Sequence, residues 1–79
     1  MLLSELPWDA PASISRNCFL SGVEHGLPFM GWKKADGTYD IIPYWRFDRS
    51  HPADGYRGID PLMAQCIVLE LLKNHNSSK

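Results

Sequence analysis

The sequence has little of the charge imbalance that marks many binding proteins. Its 79 residues carry eight Lys and Arg against nine Asp and Glu, which gives a net charge of −1. Proteins that bind nucleic acid through bulk charge need a basic excess to displace counterions, so this balance argues against that class. It also argues against an acidic mimic of DNA. A local basic patch remains possible within a neutral total.

Long apolar runs and targeting signals are also missing. No apolar stretch reaches the ~20 residues that a membrane-spanning helix needs. The N-terminus MLLSELPWD has no basic segment and reaches Pro7 and Asp9 early, so no signal peptide is predicted. We therefore predict a cytoplasmic protein with no membrane partner. The two cysteines, Cys18 and Cys66, are then expected to be reduced, and their apolar neighbours CFL and CIV predict that both are buried.

The spacings that catalytic and metal sites require are absent too. The histidines His25, His51 and His75 are far apart, and no HxxxH or CxxC pair preorganises two metal ligands. A metal site would have to combine remote residues such as Cys18, His25 and Cys66, and a nucleophile would need Cys18 beside His25. We predict no catalytic residue, no metal and no cofactor, and thus a protein that is not an enzyme.

The chain is short enough for one small domain, residues 1–79. Residues 1–11 are predicted to be a lead-in segment that packs Leu2, Leu3 and Trp8 on the domain. Residues 13–25 have partly helical spacing and predict a short helix, with Gly26 as the residue that ends it. Residues 48–59 predict a loop.

Residues 28–47 have the pattern of β structure. Asp36-Gly37 separates two runs rich in β-forming residues, which predicts a hairpin. Pro43 cannot donate a ladder hydrogen bond, so it is expected to end a strand, mark a bulge or lie on an edge.

Residues 60–73 predict the clearest element, a helix with Asp60 as its N-cap and Pro61 at its first position. The tail, residues 74–79, is expected to fray. The element order predicts an α+β fold. In it, a small antiparallel hairpin or sheet packs against this C-terminal helix and the shorter N-terminal helix.

The C-terminal helix carries more apolar residues than one buried face requires. At 100° steps the predicted core arc contains Met63, Ala64, Ile67, Val68 and Leu71. Leu62, Leu69 and Leu72 fall outside it, so either another segment of the chain covers them or they contact a protein partner.

The segment 32–49, WKKADGTYDIIPYWRFDR, mixes aromatic and basic residues. Single-stranded nucleic-acid binders use such mixtures, with rings stacking on bases and cations following the backbone. Alternation along a strand gives a simpler explanation: one set of rings enters the core and the charged set faces solvent. The candidate nucleic-acid residues are Trp32, Lys33, Lys34, Tyr44, Trp45, Arg46 and Arg49.

The segment GIDPLMAQCIVLELLK (58–73) resembles the end of small phage accessory proteins of the NinX-like group, where a Pro-Leu opening leads into a final apolar helix. The resemblance implies a phage or prophage origin and a small α/β sandwich, and it supplies no catalytic residue. Phage accessory proteins of this size often bind and inhibit a host protein.

Protein binding is therefore the leading functional prediction, either to a partner or to a second copy as a homodimer. The predicted contact residues are Leu62, Leu69, Leu72, Trp45 and Arg46, since aromatic and Arg side chains dominate interface hot spots. The alternative is single-stranded nucleic-acid binding through the hairpin.

Overall fold

A computed structural model describes the backbone of residues 2–10, 16–45 and 48–77, with side chains described for 2–10, 16–45 and 50–75. A 3₁₀ helix at Leu3–Glu5 is followed by β1 (Cys18–Leu20), α1 (Gly22–His25), β2 (Phe29–Lys33) and β3 (Tyr39–Trp45). Then come β4 (Asp48–Pro52), β5 (Tyr56–Ile59) and α2 (Pro61–Ser77). The strands form one curled antiparallel sheet beside α2, which confirms the predicted α+β fold.

The β3 strand is the centre of this sheet. One of its edges pairs with β2, which pairs in turn with β1. The other edge pairs with β5 near Tyr39 and with β4 near Trp45, so these two strands occupy successive parts of one edge. The predicted hairpin is confirmed as β2–β3, closed where Lys34 and Thr38 pair and Asp36 accepts from the Thr38 N–H at 2.9 Å.

Pro43 lies inside β3, at the gap between β5 and β4. Its carbonyl accepts a hydrogen bond from the N–H of Ala53 at 2.7 Å, and its nitrogen faces the same way because both groups of a strand residue point to one side. No strand needs a donor there, so the missing N–H is tolerated. The bulge comes one step later, between Tyr44 and Trp45.

The sheet has two distinct faces because side chains alternate along each strand. Leu20, Gly31 and Ile41 are aligned across β1, β2 and β3, and both apolar side chains of this row are fully buried beneath α2. The next row, Phe19, Trp32 and Asp40, points to the opposite face. The core lies on the first face and contains Leu3, Leu6, Leu20, Leu27, Phe29, Ile41, Ala64 and Val68.

The N-terminal prediction needs correction. The part of the predicted helix 13–25 that the structure describes is helical only at Gly22–His25, because residues 18–20 form an edge strand that pairs with β2. Residues 13–15 lie outside the described part of the chain. Gly26 ends α1 as expected, with a left-handed backbone at φ 70°.

The lead-in segment packs on the domain as predicted, with one exception. Leu3 is buried, and the indole N–H of Trp8 donates to the Leu3 carbonyl at 2.8 Å. The backbone N–H of Leu3 donates to the Gln65 side chain at 2.8 Å, which fixes the 3₁₀ helix to α2. Leu2 is exposed because it precedes this attachment, so its predicted packing is wrong.

The predicted loop at residues 48–59 is wrong, because most of it forms β4 and β5. These strands read DRSHP and YRGI, and their polar composition hides a strand state that depends on pairing with β3. The helix prediction for 60–73 is confirmed, with the Asp60 carboxylate accepting from the Met63 N–H at 2.7 Å. The helix continues to Ser77, beyond its predicted end.

Candidate functional site

The outward side of α2 carries an apolar stripe. Leu62 is 76% exposed and Leu69 is 45% exposed, and Cys66 is exposed between them. These positions follow the i, i+4, i+7 spacing that places side chains on one side of a helix. We call these three residues the outer face of α2. Met63, which is 52% exposed, lies beside it.

The rotation of α2 about its axis differs from the predicted one. Ala64 and Val68 are fully buried as expected, and Ile67 and Leu71 pack against the core. Met63 was assigned to the core and is exposed, so that assignment is wrong. The attachment of the 3₁₀ helix to Gln65 draws the opposite flank of α2 inward.

Of the three leucines predicted to contact a partner, Leu72 packs partly against the core, while Leu62 and Leu69 remain accessible. The burial predicted for Cys66 is wrong for the same reason that Leu62 is accessible: both lie on the outward side of the helix. Cys18 is half-buried in the edge strand β1.

An open groove of about 470 Å³ adjoins the outer face. The first turn of α2 forms one wall, the 3₁₀ segment forms the other, and Tyr39 lies between them. The lining residues are Leu2, Leu3, Ser4, Tyr39, Pro61, Leu62 and Gln65. Since Leu2 is 59% exposed, the groove and the outer face form one continuous apolar surface. The sequence signal for this groove was the apolar lead-in, which we had assigned wholly to packing.

The predicted anchor Trp45 lies elsewhere. It is 59% exposed at the end of β3, about 20 Å along the strand from Tyr39 in the groove, at ~3.3 Å per residue. Arg46 lies outside the described residues. The structure therefore unites two of the predicted contact residues, Leu62 and Leu69, and places Trp45 apart from them.

The candidate nucleic-acid residues are not gathered on one face. Trp32 stacks on Phe19 with ring centroids 4.6 Å apart, and Tyr44 is buried. Lys34 forms an ion pair with Asp40, while Lys33 lies at the end of β2 with alternation pointing it to the other face. The side chains of Arg46 and Arg49 are outside the described part. This arrangement offers no continuous row of stacking rings.

Asp40 is the one buried charged residue among those described, and its contacts are structural. Its carboxylate lies 3.0 Å from the Lys34 ammonium and accepts a hydrogen bond from the Gly58 N–H at 2.8 Å. The second contact spans a bulge in the β3–β5 pairing, where Gly58 has φ 63°. The carboxylate thus satisfies an N–H that the irregular ladder leaves without a carbonyl partner.

We expect Asp40→Ala to lower the free energy of unfolding by about 1.5–3 kcal/mol, because it removes a charge-assisted hydrogen bond and leaves a donor unsatisfied. Asp40→Asn keeps an acceptor for Gly58 and should cost less. Urea denaturation measures both. Asp36→Ala is the control, since that carboxylate also bonds a backbone N–H but is exposed. Equal losses from the two Ala variants would contradict the assigned role.

Asp36 is the residue whose titration the fold clearly changes. Hydrogen bonds from the side chain and then the backbone of Thr38 hold the pKa of its carboxyl below the ordinary 3.8. A lowered folded-state pKa means that this contribution to stability is present above pH 3.8 and is lost as the pH falls through the lowered value. The shift therefore belongs to the hairpin turn rather than to a reactive site.

Two further searches of the described residues bear on function. No three His, Cys, Asp or Glu side chains come together in an arrangement suited to a metal ion. No helix in the described ranges is long and apolar enough to cross a membrane.

Comparison of the chain with protein-family models, curated proteins and solved structures finds no match. The resemblance of residues 58–73 to the NinX-like group therefore stays a prediction. What can be argued about function depends on the surface formed by the outer face of α2 and the groove.

Proposed function

We propose that this protein is a non-enzymatic binding protein that contacts a protein partner through the outer face of α2 and the adjoining groove. The observation that carries the proposal is the exposure of Leu62 and Leu69 on one side of a helix whose opposite side is buried. Monomeric proteins seldom leave contiguous apolar surface in water, and such surface commonly marks an interaction site.

The groove strengthens this proposal because it gives the surface a shape. An apolar side chain from a partner can enter between Leu2 and Leu62 and contact the Tyr39 ring at its base. Side chains held in such a pocket typically dominate binding energy, while flat contacts around them add little. The surrounding polar groups, such as Ser4 and Gln65, provide the rim that interfaces usually have.

The phage resemblance gives this proposal a biological setting. On that expectation the protein would be an accessory product that inhibits a host protein by occupying one of its surfaces. The partner is then a host protein or a second copy of the chain. Both readings use the same surface, so one position-specific experiment tests the surface before the partner is known.

We expect a photo-crosslinking amino acid at position 69 to form a discrete covalent adduct with a protein after irradiation, either in concentrated purified protein or in host cells. The same amino acid at position 24 is the matched control, since Glu24 is exposed on α1 away from α2. Gel mobility and mass spectrometry measure the adduct. Crosslinking that is absent at position 69, or equal at both positions, would overturn the proposal.

A further inference from the structure

Building on the proposed function, we infer that the partner is a second copy of this chain, bound with its α2 antiparallel to the first about a two-fold axis near Cys66. The reason is the internal symmetry of the outer face. Leu62 and Leu69 lie at equal distances from a midpoint between residues 65 and 66. A two-fold axis through that midpoint places each Leu62 level with the Leu69 of the other copy.

An isologous contact requires a surface that is complementary to itself, and the groove meets this requirement. It opens beside Leu62, in the first turn of α2. In the antiparallel pair, this is the level at which the other copy presents Leu69. Each of the two grooves therefore receives one Leu69 side chain, and both exposed leucines leave water together.

Charge favours the antiparallel pair over a parallel one. Asp60 precedes the outer face and Lys73 follows it on the same side of the helix. Antiparallel pairing brings each Asp60 to within ~3 Å, along the axis, of the level of the other copy's Lys73, at ~1.5 Å per residue. Parallel pairing would place like charges together. The antiparallel pair also sets opposite ends of the two helix dipoles side by side.

The axis makes the position of Cys66 testable. Packed helices lie about 8–10 Å apart, and Cα atoms lie ~2.3 Å from each axis, so facing Cα atoms are separated by about 3–5 Å. The two Cys66 residues differ in level by ~1.5 Å, which keeps their Cα atoms near the ~4.4–6.8 Å range of a disulfide. Cys18 lies on the edge strand β1 and has no symmetric position across this axis.

The test measures both the dimer and its geometry. Sedimentation equilibrium of the reduced protein should show a monomer–dimer equilibrium between about 10 µM and about 1 mM, as expected for a contact at the small end of the interface scale. Adding copper phenanthroline, which accepts the two electrons from a pair of thiols, should link wild-type and Cys18→Ser chains into dimers. It should not link Cys66→Ser chains.

The double variant Leu62→Glu, Leu69→Glu should remain folded by circular dichroism, because neither side chain is in the core, and should lose both the equilibrium dimer and the crosslink. A protein that stays monomeric to 1 mM, or whose crosslink depends on Cys18, overturns the inference. If position 69 then still crosslinks a different protein in cells, the proposed function stands without the dimer. If position 69 captures no protein at all, both fail.

Discussion

Gly22→Ala is expected to lower the free energy of unfolding by about 3 kcal/mol or more, which is large for a change of one methyl group. Helix propensity alone favours Ala over Gly by roughly 0.5–1 kcal/mol, so the sign is decided by space. A Cβ at Gly22 would overlap the carbonyl oxygen of Phe29 and lie 2.7 Å from its carbonyl carbon. That carbonyl belongs to β2, so relief requires moving α1 away from the sheet.

Two control variants separate this clash from other effects. Val23→Ala changes an exposed neighbour in the same helix and should cost less than about 0.5 kcal/mol. Gly37→Ala places a Cβ where φ is 90° but nothing lies within 4 Å, so it should cost about 1–2 kcal/mol of backbone strain. Thermal and urea unfolding measure all three. A Gly22→Ala protein no less stable than Gly37→Ala would show that α1 does not pack as described.

The second large effect concerns the core face of the sheet. Phe29→Ala should destabilise the protein by about 3–5 kcal/mol, because the ring is fully buried and α2 cannot collapse onto the cavity while it stays packed on β3. A domain of this size has a total stability of roughly 4–12 kcal/mol. The variant should therefore be partly unfolded at 37 °C, as measured by circular dichroism against urea concentration.

Phe19→Ala is the matched control, since it removes the same ring from the opposite face. Phe19 is half-buried and contacts Trp32, so its loss should cost less than half as much as that of Phe29. Similar losses from the two variants would mean that the face away from α2 is as important to stability as the core. Phe29→Leu, which retains most of the apolar volume, should recover much of the lost stability.

The elements that the sequence predicts well are those whose signals are local. Asp60 and Pro61 announce α2, and Asp36-Gly37 announces the β2–β3 hairpin, because caps and turns depend on neighbouring residues. The strands β1, β4 and β5 have three to five residues each, and they are extended because β2 or β3 pairs with them. Their state is decided by contacts distant in sequence, which a short polar segment does not reveal.

The candidate site shows the same division. The excess of leucine on α2 was visible from helical periodicity, and two of its three residues are exposed as a contact surface requires. The rotation of the helix was not predictable, because it depends on the bond between the Leu3 N–H and Gln65, 62 residues apart. That one attachment turns Met63 outward and lets Leu72 pack inward. The groove beside Leu62 exists for the same reason.

The arrangement of β3 has a consequence for local opening of the molecule. The N–H of Tyr44 donates to Pro28, so the even-numbered amides of β3 face β2 and the odd-numbered ones face β5 and β4. Separation of residues 48–59 from the sheet would release the odd-numbered amides while the even-numbered ones stay bonded. Alternate positions of a single strand thus exchange hydrogen with water on two different clocks, one for each half of the sheet.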